Sequence, residues 1–224
     1  MSSLWALIPV YQGAATVAEV VRGVQRVTGL PVVVVDDGST DGSGDRAEKA
    51  GAVVLRHRVN LGKGAALQTG FAFAEKRGAH AVMTLDADSQ HDPTDAPALL
   101  TAHEAQPGAL IIGVRDFAAM PGRNRFGNSF STWWISLYAR RPHKDTQSGY
   151  RIYPRALYTG ARLRTRRFDT ETELLLHAAK LHIPLVEVPI RTVYTATRQP
   201  THFRPFGDAM RILRLVVSSP WLRP

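Results

Sequence analysis

Three polar turns, each set just past a short apolar run, constrain this chain more than any other feature of its sequence. They are Pro9-Val10-Tyr11-Gln12, Asp36-Asp37-Gly38-Ser39-Thr40-Asp41 and Asp86-Ala87-Asp88-Ser89-Gln90. The runs before them read as strands at Leu4–Val10, Pro31–Val35 and Ala81–Leu85, with further strands at Ala52–Leu55 and Ala109–Val114. Between the first two, Val17, Val20, Val21, Val24 and Val27 recur at helical spacing and form one apolar stripe. Helices are also expected from a cap at Ser39 or Asp41 to about Ala50, over Gly62–Lys76, and over Thr94–His103. Short β-rich runs alternating with helical patterns build βαβ units around a largely parallel sheet. The expectation is a three-layer α/β fold of Rossmann-like form, with Pro31–Val35 a central strand covered on both faces.

After Val114 the pattern loosens. Helices are expected at Arg125–Tyr138 and Thr170–Leu181, and a late strand at Leu185–Val188 closed by Pro189. Residues 195 to 205 read as a loop. A last helix, Gly207–Val217, carries Met210, Leu213 and Val217 on one side and Arg204, Arg211 and Arg214 on another. With 224 residues and 44% hydrophobic content, the chain fits one domain. It divides into a first half, 1–110, an acceptor-facing part, 111–205, and a basic amphipathic end, 206–224.

No uninterrupted apolar run approaches the ~20 residues that span a bilayer, and no export signal opens the chain. A cytoplasmic protein is expected, with its last helix and Trp221 suited to peripheral contact with an anionic membrane. The absence of cysteine rules out disulfides and thiolate metal sites, so any metal must be held by oxygen or imidazole. The net charge of +9 is unevenly placed: residues 1–110 hold 9 Lys+Arg against 12 Asp+Glu, and residues 111–224 hold 19 against 7. An acidic half would suit a metal and a basic half an anion. No zinc-finger, homeodomain or aromatic RNP-like pattern accompanies the basic half, which argues against nucleic acid.

In doubly wound sheets ligands bind at the carboxyl ends of the strands, where all three turns fall. Adjacent carboxylates at Asp36 and Asp37 repel unless donors or cations compensate them; a ribose diol and a base edge supply such donors, and so does a structural turn. Asp86 and Asp88 leave a strand as alternate residues and can flank one hard divalent cation, Mg²⁺ or Mn²⁺. No Gly-x-Gly-x-x-Gly follows the first strand, which excludes an ordinary dinucleotide-binding dehydrogenase.

These motifs, in this order, resemble the family 2 glycosyltransferases, and within them the group similar to dolichol- and polyprenyl-phosphate mannosyltransferases. Pro9-Val10-Tyr11 looks like the family's P-x-Y-N entry, Asp37 like its base- and ribose-binding aspartate, and Asp86-Ala87-Asp88-Ser89-Gln90 like its D-x-D-x-Q metal motif. Asn60-Leu61-Gly62-Lys63-Gly64 is similar to the N-x-G-x-G segment. The chain departs from the family at Gln12-Gly13, where Asn-Glu is usual, and at Arg198-Gln199-Pro200-Thr201-His202, which matches R-x-x-G-x-S-K only in part. The resemblance implies the GT-A fold and donor binding by Pro9, Tyr11, Asp36, Asp37, Gly38, Lys63, Asp86, Ala87, Asp88 and Gln90, with Asp86 and Asp88 on the metal. It implies acceptor-phosphate binding by Arg115, Arg125, Ser129, Ser148 and Arg198. Catalysis would fall to Asp86, Asp88, Arg115, Arg125 and Asp169.

Asp145-Thr146-Gln147-Ser148-Gly149-Tyr150-Arg151 is similar to the family's D-x-x-S-G-F/Y-R segment, and Phe168-Asp169-Thr170-Glu171 to its F-D-x-E. Thr170 and Glu173 also have the spacing of a capping box, which explains Glu173 without catalysis. The implied reaction moves a sugar from a GDP- or UDP-sugar to a polyprenyl phosphate, with inversion. A hydroxyl acceptor would instead need a carboxylate base, from Asp145, Asp169 or Glu171, and a nucleotidyltransferase would share fold and metal. His177, His182 and His202 show no metal spacing with one another and read as helix-packing residues, and a homo-oligomer is compatible with the sequence.

Overall fold

In the structure, a computed structural model, the described residues are 4–115, 145, 148–161, 163–167 and 169–191. Their strands are β1 (Leu4–Val10), β2 (Val32–Asp36), β3 (Val53–Arg56), β4 (Ala81–Thr84), β5 (Leu110–Arg115), β6 (Arg151–Pro154) and β7 (Leu185–Ile190). The helices are α1 (Val17–Thr28), α2 (Ser43–Lys49), α3 (Lys63–Lys76), α4 (Ala96–Ala105), α5 (Arg155–Gly160) and α6 (Asp169–Lys180). The strands form one sheet in the order β3-β2-β1-β4-β6-β5-β7. β1, β2, β3 and β4 run parallel, β7 runs parallel to β5, and β6 lies antiparallel between β4 and β5. The sheet is therefore the mostly parallel one that the alternating sequence pattern requires.

Alternation of side chains along the strands feeds two cores. Ala6, Ile8 and Val10 of β1 face α1, α2 and α4, where Val17, Val20, Val21 and Val24 line one helical face. Leu7, Val33 and Val35 face the other layer, with Ala66, Leu67 and Phe71 of α3 and Leu174, Leu175 and Ala178 of α6. Each fully buried Val or Leu contributes about 1.5–3 kcal/mol, so both faces of β1 and β2 hold the sheet between its helical layers. A Cβ on Gly70 would stand within 2.9 Å of three Leu7 side-chain atoms, which shows how closely α3 lies on β1.

Several boundaries differ from the sequence reading, each for a physical reason. α2 starts at Ser43, after Gly42 in the left-handed region; Asp41 precedes the helix and accepts the Ser43 N–H at 3.0 Å. The helix expected from Thr94 is a short 3-10 turn, Pro93–Asp95, capped by Asp92, followed by α4. β7 does not close at Pro189 but continues to Ile190, because β7 pairs β5 on one side and an edge strand admits proline. β6 and α5 were not legible: four residues opening on arginine and closing on proline show no strand periodicity. The expected helices 125–138 and 207–217 and the loop 195–205 lie outside the described residues.

In the order β3-β2-β1-β4 the parallel strands step one way from β1 to β3 and the other way to β4, so the strand order reverses between β1 and β4, and the crevice at that switch point is where such sheets take ligands. The antiparallel β6 has a further effect. Because Thr84 pairs with Arg151, the residues entering β6 arrive at the same end of the sheet as those leaving β4 and β5.

Candidate active site

The loop after β1 is held by the loop after β2. Gln12 donates its backbone N–H to Ser39 Oγ at 3.0 Å and exchanges amide bonds with Thr40; Gly13 N–H reaches Ser43 Oγ at 2.8 Å and Ala14 N–H reaches Asp41. Gln12 thus fastens this loop where the family more often has asparagine. Thr16 donates to the Ala87 carbonyl at 2.5 Å and joins the same loop to the turn after β4. Pro9 is buried in β1, while Tyr11 at its end is 38% exposed, an aromatic face at the rim of the crevice.

The two aspartates after β2 are both buried, and both are engaged by the chain itself. Asp36 accepts the Ser39 N–H at 2.9 Å. Asp37 accepts the Leu61 N–H at 2.9 Å, the Gly62 N–H at 2.7 Å, and faces His57 Nδ1 at 2.7 Å; His57 Nε2 in turn meets Thr69 Oγ at 2.9 Å. Asp37 therefore pins the segment before α3. Gly38, at φ 75°, lies so close to that segment that a Cβ would meet the Val59 carbonyl carbon at 2.5 Å. His57, which sequence reasoning missed, carries no motif beyond its place just after β3.

A group of buried charges of alternating sign fills the end of β4. Lys63, the first residue of α3, places its ammonium 2.5 Å from Asp86 Oδ1 and 3.1 Å from Glu171 Oε1. Burial disfavours the ammonium, but the two carboxylates more than reverse this and raise its pKa. Burial likewise works against the Asp86 carboxylate, and Lys63 overrides it, so the Asp86 pKa is lowered. His91 lies 3.9 Å from Asp86 through Nδ1 and receives the Asp86 N–H at 3.4 Å on the same nitrogen. Its burial depresses its pKa to about 4, so the ring is neutral near pH 7.

Asp88 reaches solvent and accepts the Gln90 N–H at 3.0 Å. Partial withdrawal into the crevice and the charge of Asp86 push its pKa up to about 6. Crowded carboxylates of this kind are what a cation relieves. Among the described residues no group of three or more acidic or histidine side chains forms a metal cluster. Two carboxylates nevertheless fit a magnesium-like ion, which keeps several waters and takes its remaining ligands from substrate phosphates. The donor set at Asp86 and Asp88 is thus compatible with a divalent cation brought together with a diphosphate.

The segment entering β6 supports this turn from beneath. Gly149 lies against the Asp86 carboxylate, where a Cβ would sit 2.5 Å from Oδ2 and 2.9 Å from Cγ, and its carbonyl accepts Thr84 Oγ at 2.8 Å. Arg151 is fully buried, donating to the Ser148 carbonyl at 2.7 Å and to the Glu171 carbonyl at 3.0 Å. Asp145, also buried, takes both ends of the Arg115 guanidinium, at 2.7 and 3.1 Å.

Several expected site residues therefore have other partners in the structure. Arg115 is clamped by Asp145, and Ser148 is buried with its hydroxyl accepting the Tyr150 N–H at 3.3 Å. Asp169 accepts the Arg167 N–H at 3.1 Å at the start of α6; it is Glu171, two residues on, that reaches Lys63 and Asp86's end of the crevice. The expected capping box does not form: α6 already includes Thr170, and Glu173 accepts the Arg164 and Thr165 N–H groups at 3.0 Å. Arg125, Ser129 and Arg198 lie outside the described residues.

These carboxylates line a crevice at the strand ends, where open α/β sheets take their ligands. Comparison with known proteins makes the class definite. The model of glycosyl transferase family 2 matches residues 5–159, and the chain belongs to that family as a glycosyltransferase of the GT-A fold. It is 32% identical over 179 residues to an undecaprenyl-phosphate mannosyltransferase of Micrococcus luteus, covering 72% of this chain and 71% of that one. It is 29% identical over 219 residues to a UDP-N-acetylglucosamine–dolichyl-phosphate N-acetylglucosaminyltransferase of Methanococcus voltae, covering 86% of each. Glucosyl-3-phosphoglycerate synthase from Mycobacterium tuberculosis, solved with Mn²⁺ and UDP-glucose, shares the fold at a TM-score of 0.74 and 20% identity, over 96% of this chain and 77% of that chain.

Proposed function

We propose that the protein transfers a sugar from a UDP- or GDP-sugar to a polyprenyl phosphate, with a divalent cation at Asp86 and Asp88 and inversion at the anomeric carbon. One observation carries the choice of acceptor. Each carboxylate that the sequence offered as a general base already has a partner: Asp145 holds Arg115, Asp169 caps Arg167, and Glu171 holds Lys63. A hydroxyl acceptor needs a base, whereas a phosphate oxygen is anionic near neutral pH and attacks without proton removal. The names of the similar dolichyl- and undecaprenyl-phosphate transferases support the same acceptor chemistry.

A bound cation would neutralise charge on the departing nucleoside diphosphate. The chain's own residues do the rest. Tyr11 and the Asp36–Gly38 turn border the donor's nucleoside side of the crevice, and Gln90 fixes the orientation of Asp88. Lys63 brings a buried positive charge to the diphosphate end, where preorganised charge is most effective. Arg115, held flat by two bonds to Asp145, lines the approach from β5, with Arg125, Ser129, Ser148 and Arg198 the further acceptor-side candidates. Catalysis rests on positioning two anions against fixed charges.

The test is incubation with a panel of UDP- and GDP-sugars, Mn²⁺ or Mg²⁺ and a short polyprenyl phosphate, followed by mass spectrometry of the lipid. The expected result is one glycosylated lipid phosphate, lost with chelator and reduced roughly 10²-fold or more in Asp88→Asn. NMR of the product gives the anomeric configuration; retention contradicts inversion. Pyrophosphate release would instead identify a nucleotidyltransferase.

A further inference from the structure

Given a divalent cation at Asp86 and Asp88 as proposed above, we infer that Thr16 is a positioning residue for it. The Thr16 hydroxyl holds the carbonyl between the two aspartates and so sets how their carboxylates are presented. Thr16 stands at the N-cap of α1, where a threonine ordinarily accepts one of the first free N–H groups of the helix. Its side chain makes no such bond here. The hydroxyl instead donates to the Ala87 carbonyl at 2.5 Å, across 71 residues of sequence, while the Gly13 carbonyl lies further off at 3.4 Å. A group that could cap its own helix is used as a bridge to the turn after β4.

The place of that bond gives it leverage. Ala87 is buried, and its carbonyl belongs to the planar peptide that joins it to Asp88, so fixing the carbonyl fixes the plane from which Asp88 departs. The turn is under restraint from within as well. The Asp86 N–H points to His91 Nδ1 at 3.4 Å and Asp88 accepts the Gln90 N–H at 3.0 Å. Ser89 holds φ 60°, a left-handed conformation that a residue with a side chain keeps only where its surroundings impose it. Thr16 reaches this turn from the β1 side, and its own end is anchored. Gln12, Gly13 and Ala14, just before it, donate their N–H groups to Ser39, Ser43 and Asp41 of the segment after β2. The hydroxyl thus ties the nucleoside side of the crevice to the cation side, and its loss acts on nucleotide binding through the cation.

To test this, UDP and GDP are each titrated calorimetrically into wild type, Thr16→Val and Thr16→Ser, once with Mn²⁺ and once with chelator in its place. For the nucleotide that binds, Thr16→Val is expected to weaken the affinity with Mn²⁺ about tenfold and to change the affinity with chelator less than about twofold, while Thr16→Ser, which keeps the hydroxyl, stays within about twofold of wild type in both. Equal weakening with and without Mn²⁺ marks a structural role and overturns the inference. So does Thr16→Ser binding as weakly as Thr16→Val, which assigns the effect to the lost methyl group. If Thr16→Val does not fold, Thr16→Gly takes its place, since glycine is well tolerated at an N-cap and equally lacks the hydroxyl. Wild-type protein that binds neither nucleotide, or binds equally with Mn²⁺ and with chelator, overturns the cation reading together with this one. Binding that Mn²⁺ strengthens and that Thr16→Val leaves at the wild-type level overturns this one alone.

Discussion

Gly149 and Asp37 show how much of the site depends on where single residues sit against the rest of the chain. Any side chain at 149 collides with the Asp86 carboxylate, so Gly149→Ala must displace a group that the proposed cation needs. The expected outcome is at least a tenfold loss of metal-dependent turnover with an unchanged circular-dichroism spectrum. Unchanged turnover would mean that Asp86 tolerates being moved. Asp37 gives a sharper contrast between two roles. Its oxygens accept two backbone N–H groups and face His57, so Asp37→Asn leaves buried donors poorly satisfied and is expected to cost about 1–3 kcal/mol in urea unfolding. A residue devoted to the donor's base or ribose would instead raise the donor KM and leave stability alone.

Among the elements, α3 and β1 make a close contact that a small substitution can probe. Gly70→Ala gains up to about 1 kcal/mol of helix propensity, but overpacking against Leu7 costs about 1–3 kcal/mol, and net destabilisation is expected in chemical denaturation. A rise in stability would show that α3 can move off the sheet. The elements also show what was legible. β1 came out with its exact bounds and α1 with its valine stripe, because burial on one or two faces imposes a strong periodicity. β6 was missed: it is buried on both faces, yet it carries Arg151, whose charge is satisfied by the Ser148 carbonyl just before the strand and by the Glu171 carbonyl, twenty residues away on α6. The same reason hid the partners at the site. Asp86 and Asp88 were found from spacing, but Lys63 meeting Glu171, Asp145 meeting Arg115 and Gly149 meeting Asp86 are products of the antiparallel strand that the pattern did not disclose.

For the whole molecule, the separation of charge in the sequence takes on a local meaning. The mainly acidic first half supplies Asp86 and Asp88, while the basic second half supplies Arg115 and Arg151, and these meet at one end of the sheet as a buried run of alternating signs. Such a run holds the site rigid and leaves Asp88 the more exposed of the two aspartates after β4. No helix among the described residues is long and apolar enough to cross a membrane. The proposed reaction requires the phosphate end of a lipid acceptor at the crevice. That requirement separates the proposed acceptor from its nearest rival. With one accepted nucleotide-sugar and Mn²⁺, initial rates are compared for a short polyprenyl phosphate, the same polyprenol without its phosphate, and a free saccharide. Transfer to the phosphate alone, with a rate that stays nearly level from pH 7 to 9 because no base must first ionise, is the predicted result. Faster transfer to the polyprenol or the saccharide would contradict the account.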